Sequence, residues 1–148
     1  MFFEELFSNK ILISAMISWF VAQALKVVFY YIKHHKFDIS KFFSSGSMPS
    51  SHSAFVTALV VAVGMVEGVG STFFAISVVL ATVVMYDASG VRRAAGRQAR
   101  IINQIVFDFY KEKQVKTEKL KELLGHTPLE VFVGAILGGV IAWMECMH

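Results

Sequence analysis

The chain is poor in cysteine, proline and charge. Cys146 is the one cysteine in 148 residues, which excludes an internal disulfide and a metal site built on several thiolates. The two prolines, Pro49 and Pro128, each stand where an apolar stretch opens. Charged residues make up 17% and apolar residues 55%, against about 25% and roughly 45–50% in ordinary soluble domains. With a mean hydropathy of +0.59, this excludes a disordered tail and argues against a typical soluble enzyme. The net charge of +3 and a pI near 9.1 give a mild bias towards anionic partners. Nucleic acid is a poor candidate for a partner, because the basic residues sit between long apolar runs. No Walker-type loop is present, and no set of Asp, His or Cys suggests a metal or another cofactor. What the chain has in plenty is Phe, fourteen, and Met, seven, residues suited to surfaces that meet lipid.

Four apolar runs divide the sequence. The first, Ile11 to Ile32, is long enough to cross a bilayer at about 20 residues per crossing. It is preceded by Glu4 and Glu5 rather than a basic region, so it does not read as a cleavable signal peptide. The second runs from Ser53 to Val66, the third from Thr72 to Tyr86, and the fourth from Pro128 to about Met144. Glu67-Gly68-Val69-Gly70-Ser71 separates the second from the third as a turn. The last three runs are short for spanning helices and reach full length only if polar residues at their ends join them. Gly134 and Gly138 have the Gly-x-x-x-Gly spacing that lets helices approach closely. The expected fold is all-α: a single membrane-embedded unit, 1–148, of about four spanning helices. A small bundle of this kind also suits homo-oligomer formation.

Two polar stretches remain. Lys33 to His52 is a linker holding Lys33, His34, His35, Lys36 and Lys41. Asp87 to Gly125 holds nine Lys/Arg against five Asp/Glu. Its middle, around Ile101, Ile102, Ile105, Val106 and Phe109, has helical spacing and reads as an amphipathic helix on the membrane or the bundle. Lys113 to Leu124 reads as a second, charged helix that ends at Gly125. With four crossings both basic stretches fall on one side, which the positive-inside rule puts in the cytoplasm.

That side carries the residues with chemistry. Gly46-Ser47-Met48-Pro49-Ser50-Ser51-His52-Ser53 ends where an apolar helix starts, and the free N–H groups of such a turn, with hydroxyls beside them, make an anion seat. Gly125-His126-Thr127-Pro128-Leu129-Glu130 stands at the mouth of another helix. His126 and Glu130 are four apart and share a helical face, and a carboxylate beside imidazole fixes its tautomer and raises its basicity. Lys26 and Lys33, two helical turns apart, face one way. Arg92, Arg93 and Arg97 follow the third run, and arginine meets phosphate as a planar fork. Two histidines, a carboxylate, cations and a Ser-rich helix start suit phosphoryl transfer through histidine without a metal.

These strings resemble a known superfamily, that of the type 2 phosphatidic acid phosphatases and vanadium haloperoxidases. Pro49-Ser50-Ser51-His52 resembles its Pro-Ser-Gly-His motif, His126-x-x-x-Glu130-Val131-x-x-Gly134 its His-x-x-x-Asp, and Lys26-x6-Lys33 its Lys-x6-Arg-Pro. The order along the chain matches, and the whole resembles the small divergent branch found in bacteria and plants. This sequence departs from the pattern at Lys33, His34, Ser51 and Glu130, which stand for Arg, Pro, Gly and Asp. Lys119 and Leu120 stand where the superfamily has Ser-Arg, and the nearest arginines are Arg92, Arg93, Arg97 and Arg100, of which Arg92, Arg93 and Arg97 are the candidates for that role. Typical members have six spanning helices and an active site on the outer face, against about four and an inner face here.

The resemblance implies a hydrolase. His126 would attack phosphorus, Glu130 would hold its ring, and His52 would protonate the leaving oxygen and then activate water. Lys26, Lys33, Ser50, Ser51 and the arginines would bind the phosphate oxygens. The substrate would be a lipid phosphate or prenyl diphosphate with its tail in the bilayer. The alternative is a catalytically degenerate membrane protein that binds an anionic lipid or a partner protein. A transporter would need a polar path, for which only Gln23, Thr57 and Thr82 lie mid-helix.

Overall fold

The computed structural model describes residues 2–43, 47–110 and 125–147. They form helices α1 (Phe2–Ser8), α2 (Lys10–His34), α3 (Ser51–Val66), α4 (Thr72–Ser89), α5 (Val91–Tyr110) and α6 (Pro128–Met147), with a 3-10 helix at Ile39–Phe43. No strand occurs among the described residues. The expected apolar runs correspond to α2, α3, α4 and α6, and the amphipathic stretch to α5. The expected charged helix at 113–124 lies outside the described residues.

Polar side chains set the boundaries. Asn9 caps α2 by accepting from the Leu12 N–H at 3.1 Å, and Ser71 caps α4 by accepting from the Phe74 N–H at 3.1 Å. Gly68 takes a φ of +86° in the turn between α3 and α4, where a side chain would strain the backbone. Helix α2, the stretch Thr72–Phe107 that contains α4, and α6 are long and apolar enough to cross a membrane. Helix α3, at 16 residues, spans about 24 Å against a hydrocarbon core of about 30 Å. The chain is thus an all-helical integral membrane protein with three to four helices able to span.

Burial follows the logic of lipid rather than water. The interior is built from small residues: Ala54, Ala58 and Ala62 of α3, Ala22 of α2, and Ala142 of α6. The large apolar side chains, among them Phe20, Phe73, Val79, Phe132 and Trp143, face outward. Water offers no reward for that arrangement, whereas lipid tails accept it and leave helix association to close packing.

Helix α3 is the hub, lying against α6, α2 and α4. Its contact with α6 is the tightest. A methyl carbon placed on Gly134 would overlap the Ser50 carbonyl oxygen, and one on Gly138 would overlap the Ala54 carbonyl oxygen. The Gly-x-x-x-Gly seam therefore brings backbone against backbone. Helix α5, among the described elements, rests on α4 alone.

Candidate functional site

The seam ends at two helix starts, and the site lies there. Pro49 is buried at the position before the cap, and Ser50 is the cap itself. Ser50 Oγ accepts from the Ser53 N–H at 3.3 Å and the Ser53 hydroxyl at 3.0 Å. Facing it, Thr127 and Glu130 form a reciprocal capping box on α6. The Thr127 hydroxyl accepts from the Glu130 N–H at 3.3 Å, and Glu130 Oε2 accepts from the Thr127 N–H at 3.0 Å, the arrangement that satisfies two otherwise unpaired helix-start donors. The same carboxylate oxygen lies 3.1 Å from His126 Nδ1. One glutamate thus closes the helix start and fixes the imidazole.

Two backbone bonds pin these turns together. The Ser50 N–H donates to the Glu130 carbonyl at 3.1 Å, and the His126 N–H donates to the Ala88 carbonyl at 2.8 Å. The first ties α3 to α6, and the second ties α6 to the end of α4. His52 and His126 are consequently brought together, with ring centroids 5.9 Å apart and planes at 62°. The two rings meet edge to face. His126 is buried and His52 half-buried.

Lys26 reaches the site from α2. It is only 2% exposed, and its Nζ donates to Ser51 Oγ at 3.1 Å. A lysine at that depth in an apolar helix is costly and is kept for a function or a partner. Lys26 and Lys33 line one cavity of about 540 Å³ with Lys41, Ser47 and Glu130. His34 lines it too, whereas His52 and His126 do not; Glu130 both lines the cavity and contacts His126. His52 instead borders two smaller spaces, one of about 240 Å³ beside Met16, Trp19 and Phe55 and one of about 290 Å³ beside Val83, Asp87 and Ala88.

Of the three expected arginines, Arg97 alone has a described side chain. Arg97 is exposed on α5, which reaches α4 and no other described element. The side chains of Arg92 and Arg93 are outside the described set. Among the described residues no group of three or more His, Cys, Asp or Glu is placed to hold a metal ion. Two contributors went unread in the sequence. Thr127 was legible as the first member of a Thr-x-x-Glu capping signature, whereas Lys41 was one basic residue in a basic linker. Asp38 pairs with Lys41 at 3.5 Å. Ser40, through its hydroxyl and backbone N–H, holds the Asp38 carboxyl below its usual range.

The sequence profile of the Divergent PAP2 family matches residues 7–141. The chain belongs to that family. It is also 45% identical over 146 aligned positions to an uncharacterized membrane protein, YuiD, of Bacillus subtilis (strain 168), covering 90% of this chain and 92% of that one. No solved structure matches the chain. Family membership agrees with the superfamily resemblance of the helix-start motifs and with the lipid-facing exterior, and it makes this a membrane PAP2-like protein.

Proposed function

We propose that the protein hydrolyses the phosphate group of a membrane lipid, a lipid phosphate or prenyl diphosphate, through a phosphohistidine on His126. The observation that carries this is the convergence of three side chains from two helix starts: His126 held by Glu130 at 3.1 Å, and His52 with its ring 5.9 Å away. With Nδ1 turned to the carboxylate, Nε2 is the nitrogen left for phosphorus. Its attack forms the P–N bond as the P–O bond to the leaving group breaks, and His52 delivers the proton to that leaving oxygen, the alcohol oxygen of a lipid monophosphate or the bridging oxygen of a diphosphate. His52 then takes a proton from water, whose oxygen displaces His126 and releases phosphate. Such acid–base assistance contributes about 10²–10⁴ in rate.

Entry of phosphorus requires the rings to part. His52 has open space on two sides, so its ring has room to turn. Lys26, Lys33, Ser50 and Ser51 bind the phosphate oxygens, where transition-state charge is held. Arg92, Arg93 and Arg97 are carried in this reading only as candidates for the same role. Lys33, Lys36 and Lys41 cluster at the motif end and Glu67 at the other, which favours a cytoplasmic orientation of the site in the cytoplasmic membrane.

A second reading has its own support. Because neither His52 nor His126 lines the lysine cavity, the cavity can hold an anionic head group without chemistry. Phosphate release from a panel of lipid phosphates in detergent, without added metal, separates the two. Release by the wild type and none by His126→Ala supports the hydrolase. Binding without release by the wild type, unchanged in His126→Ala, leaves the binder.

A further inference from the structure

The cavity between the end of α2, the 3-10 helix and the first turn of α6 is larger than one phosphate needs. At about 540 Å³ it falls in the range of small-molecule sites, about 300–1,000 Å³. A single phosphate group displaces only a few waters of about 30 Å³ each.

Its cations stand at two levels. Lys26 is buried at the floor beside Ser51. Lys33, seven residues further along α2, lies about 10 Å nearer the helix end and is exposed. Lys41 comes from the 3-10 helix, with its Nζ 4.9 Å from the centre of the Tyr30 ring. Opposing charge comes from Glu130 in the lining and from Asp38, whose pairing with Lys41 is a part-exposed ion pair, a kind that contributes little. The walls between the two levels include Phe29 and Ile32, both exposed on the outer surface of α2. An apolar tail can leave the cavity along them into lipid. Charge at two depths beside an apolar exit suits an amphiphile whose head carries two anionic groups in series.

We propose that this cavity is the headgroup pocket for a lipid diphosphate, and that Lys41 is the residue that favours it over the monophosphate of the same tail. The inference rests on the phosphatase reading for the fate of the ligand and not for its binding. Lys26 serves the phosphate near Glu130, and Lys41 with Lys33 serves the outer one.

The test uses the full chain in detergent with farnesyl diphosphate and farnesyl monophosphate. Affinity is measured in the His126→Ala background, where ligand is not consumed, and turnover in the otherwise wild-type chain. Inorganic pyrophosphate against orthophosphate, as competitors in the wild-type chain, repeats the comparison should that background not fold. The expected result is an affinity about tenfold higher for the diphosphate, a difference that one charge-assisted contact can supply. Lys41→Gln is expected to remove most of that preference while leaving the monophosphate within about twofold, Lys41→Arg to keep it, and Lys36→Gln, on an exposed residue outside the cavity, to leave it unchanged. Equal affinity for the two ligands, or equal losses for both in Lys41→Gln, would overturn the inference even if turnover is normal. A preserved preference with no turnover of either ligand would uphold it and sink the phosphatase reading instead.

Discussion

Helices α6 and α4 are both apolar, both begin beside a hydroxyl residue and both pack on α3, yet they are joined to it differently. Helix α6 sets Gly134 and Gly138 against the α3 backbone and buries Ala142. Helix α4 buries Ser77, Ala81 and Ala88 and leaves Phe73, Ile76, Val79 and Val83 outward. The difference shows where precision is needed. A seam of backbone contacts fixes the relative height of two helices far better than interleaved flexible side chains do. The α3–α6 seam ends at Ser50 and Glu130, so it sets the register of the motifs carrying His52 and His126. Helix α4 adds one backbone acceptor, at Ala88, and is followed directly by α5, which contacts it.

The largest effect should come from breaking the seam. Gly138→Leu would drive a branched side chain into the Ala54 carbonyl, which cannot swing aside. Overpacking of yielding side chains costs about 1–3 kcal/mol, and this position should lie at or above that range. Gly139, one residue on, has only the Thr57 and Val61 methyls at 3.8 and 3.9 Å from an added carbon. Gly139→Ala should therefore be neutral, or stabilising by up to about 1 kcal/mol. Thermal unfolding of both variants in detergent checks the contrast. Equal losses would mean that the seam is not special.

Next comes the residue that joins seam to chemistry. Glu130→Gln keeps a hydrogen-bond acceptor for His126 and Thr127 but removes the charge. Phosphate release should fall about tenfold to a hundredfold, less than in His126→Ala, which removes the proposed nucleophile. A fall in unfolding temperature with unchanged turnover would instead make Glu130 purely a cap.

Much of this was legible in the chain, and the exceptions have physical causes. The apolar runs matched α2, α3, α4 and α6 because polar caps such as Ser71 and prolines such as Pro128 mark their starts. The 3-10 helix at Ile39–Phe43 was read as linker. It is held by tertiary contacts, Phe42 lying 6.0 Å from Trp19 and 5.5 Å from Phe20 between ring centroids, and linear spacing does not show these. Lys41 went unread for the same reason. Helix α1 is short and charged, with Glu4 and Glu5 in its first turn, so it left no apolar run. The pairing of His126 with Glu130 was visible in an i, i+4 spacing. The edge contact between His52 and His126 was not, because it depends on backbone bonds between separate helices.

The smallest effect is expected on the flank. Arg97 is exposed on α5, which rests on α4 alone. Arg97→Gln should change kcat/KM by no more than about threefold, as for an exposed charge. A loss of a hundredfold would show that α5 folds over the site in the working protein, and would erase the contrast between the seam and the flank.

The central claim is that His126 carries the phosphoryl group while His52 moves protons, and it is tested most directly in the His52→Ala variant. An aryl phosphate has a good leaving group and needs little protonation, so it should still phosphorylate His126. Without His52 to activate water, the adduct should then accumulate. Mass spectrometry of peptides from a reaction quenched in alkali, which preserves phosphohistidine, should find one phosphoryl group on the peptide that contains His126, and none in the double variant lacking both histidines. An adduct on another residue would contradict the account, as would no adduct together with no phosphate release by the wild type from any lipid phosphate.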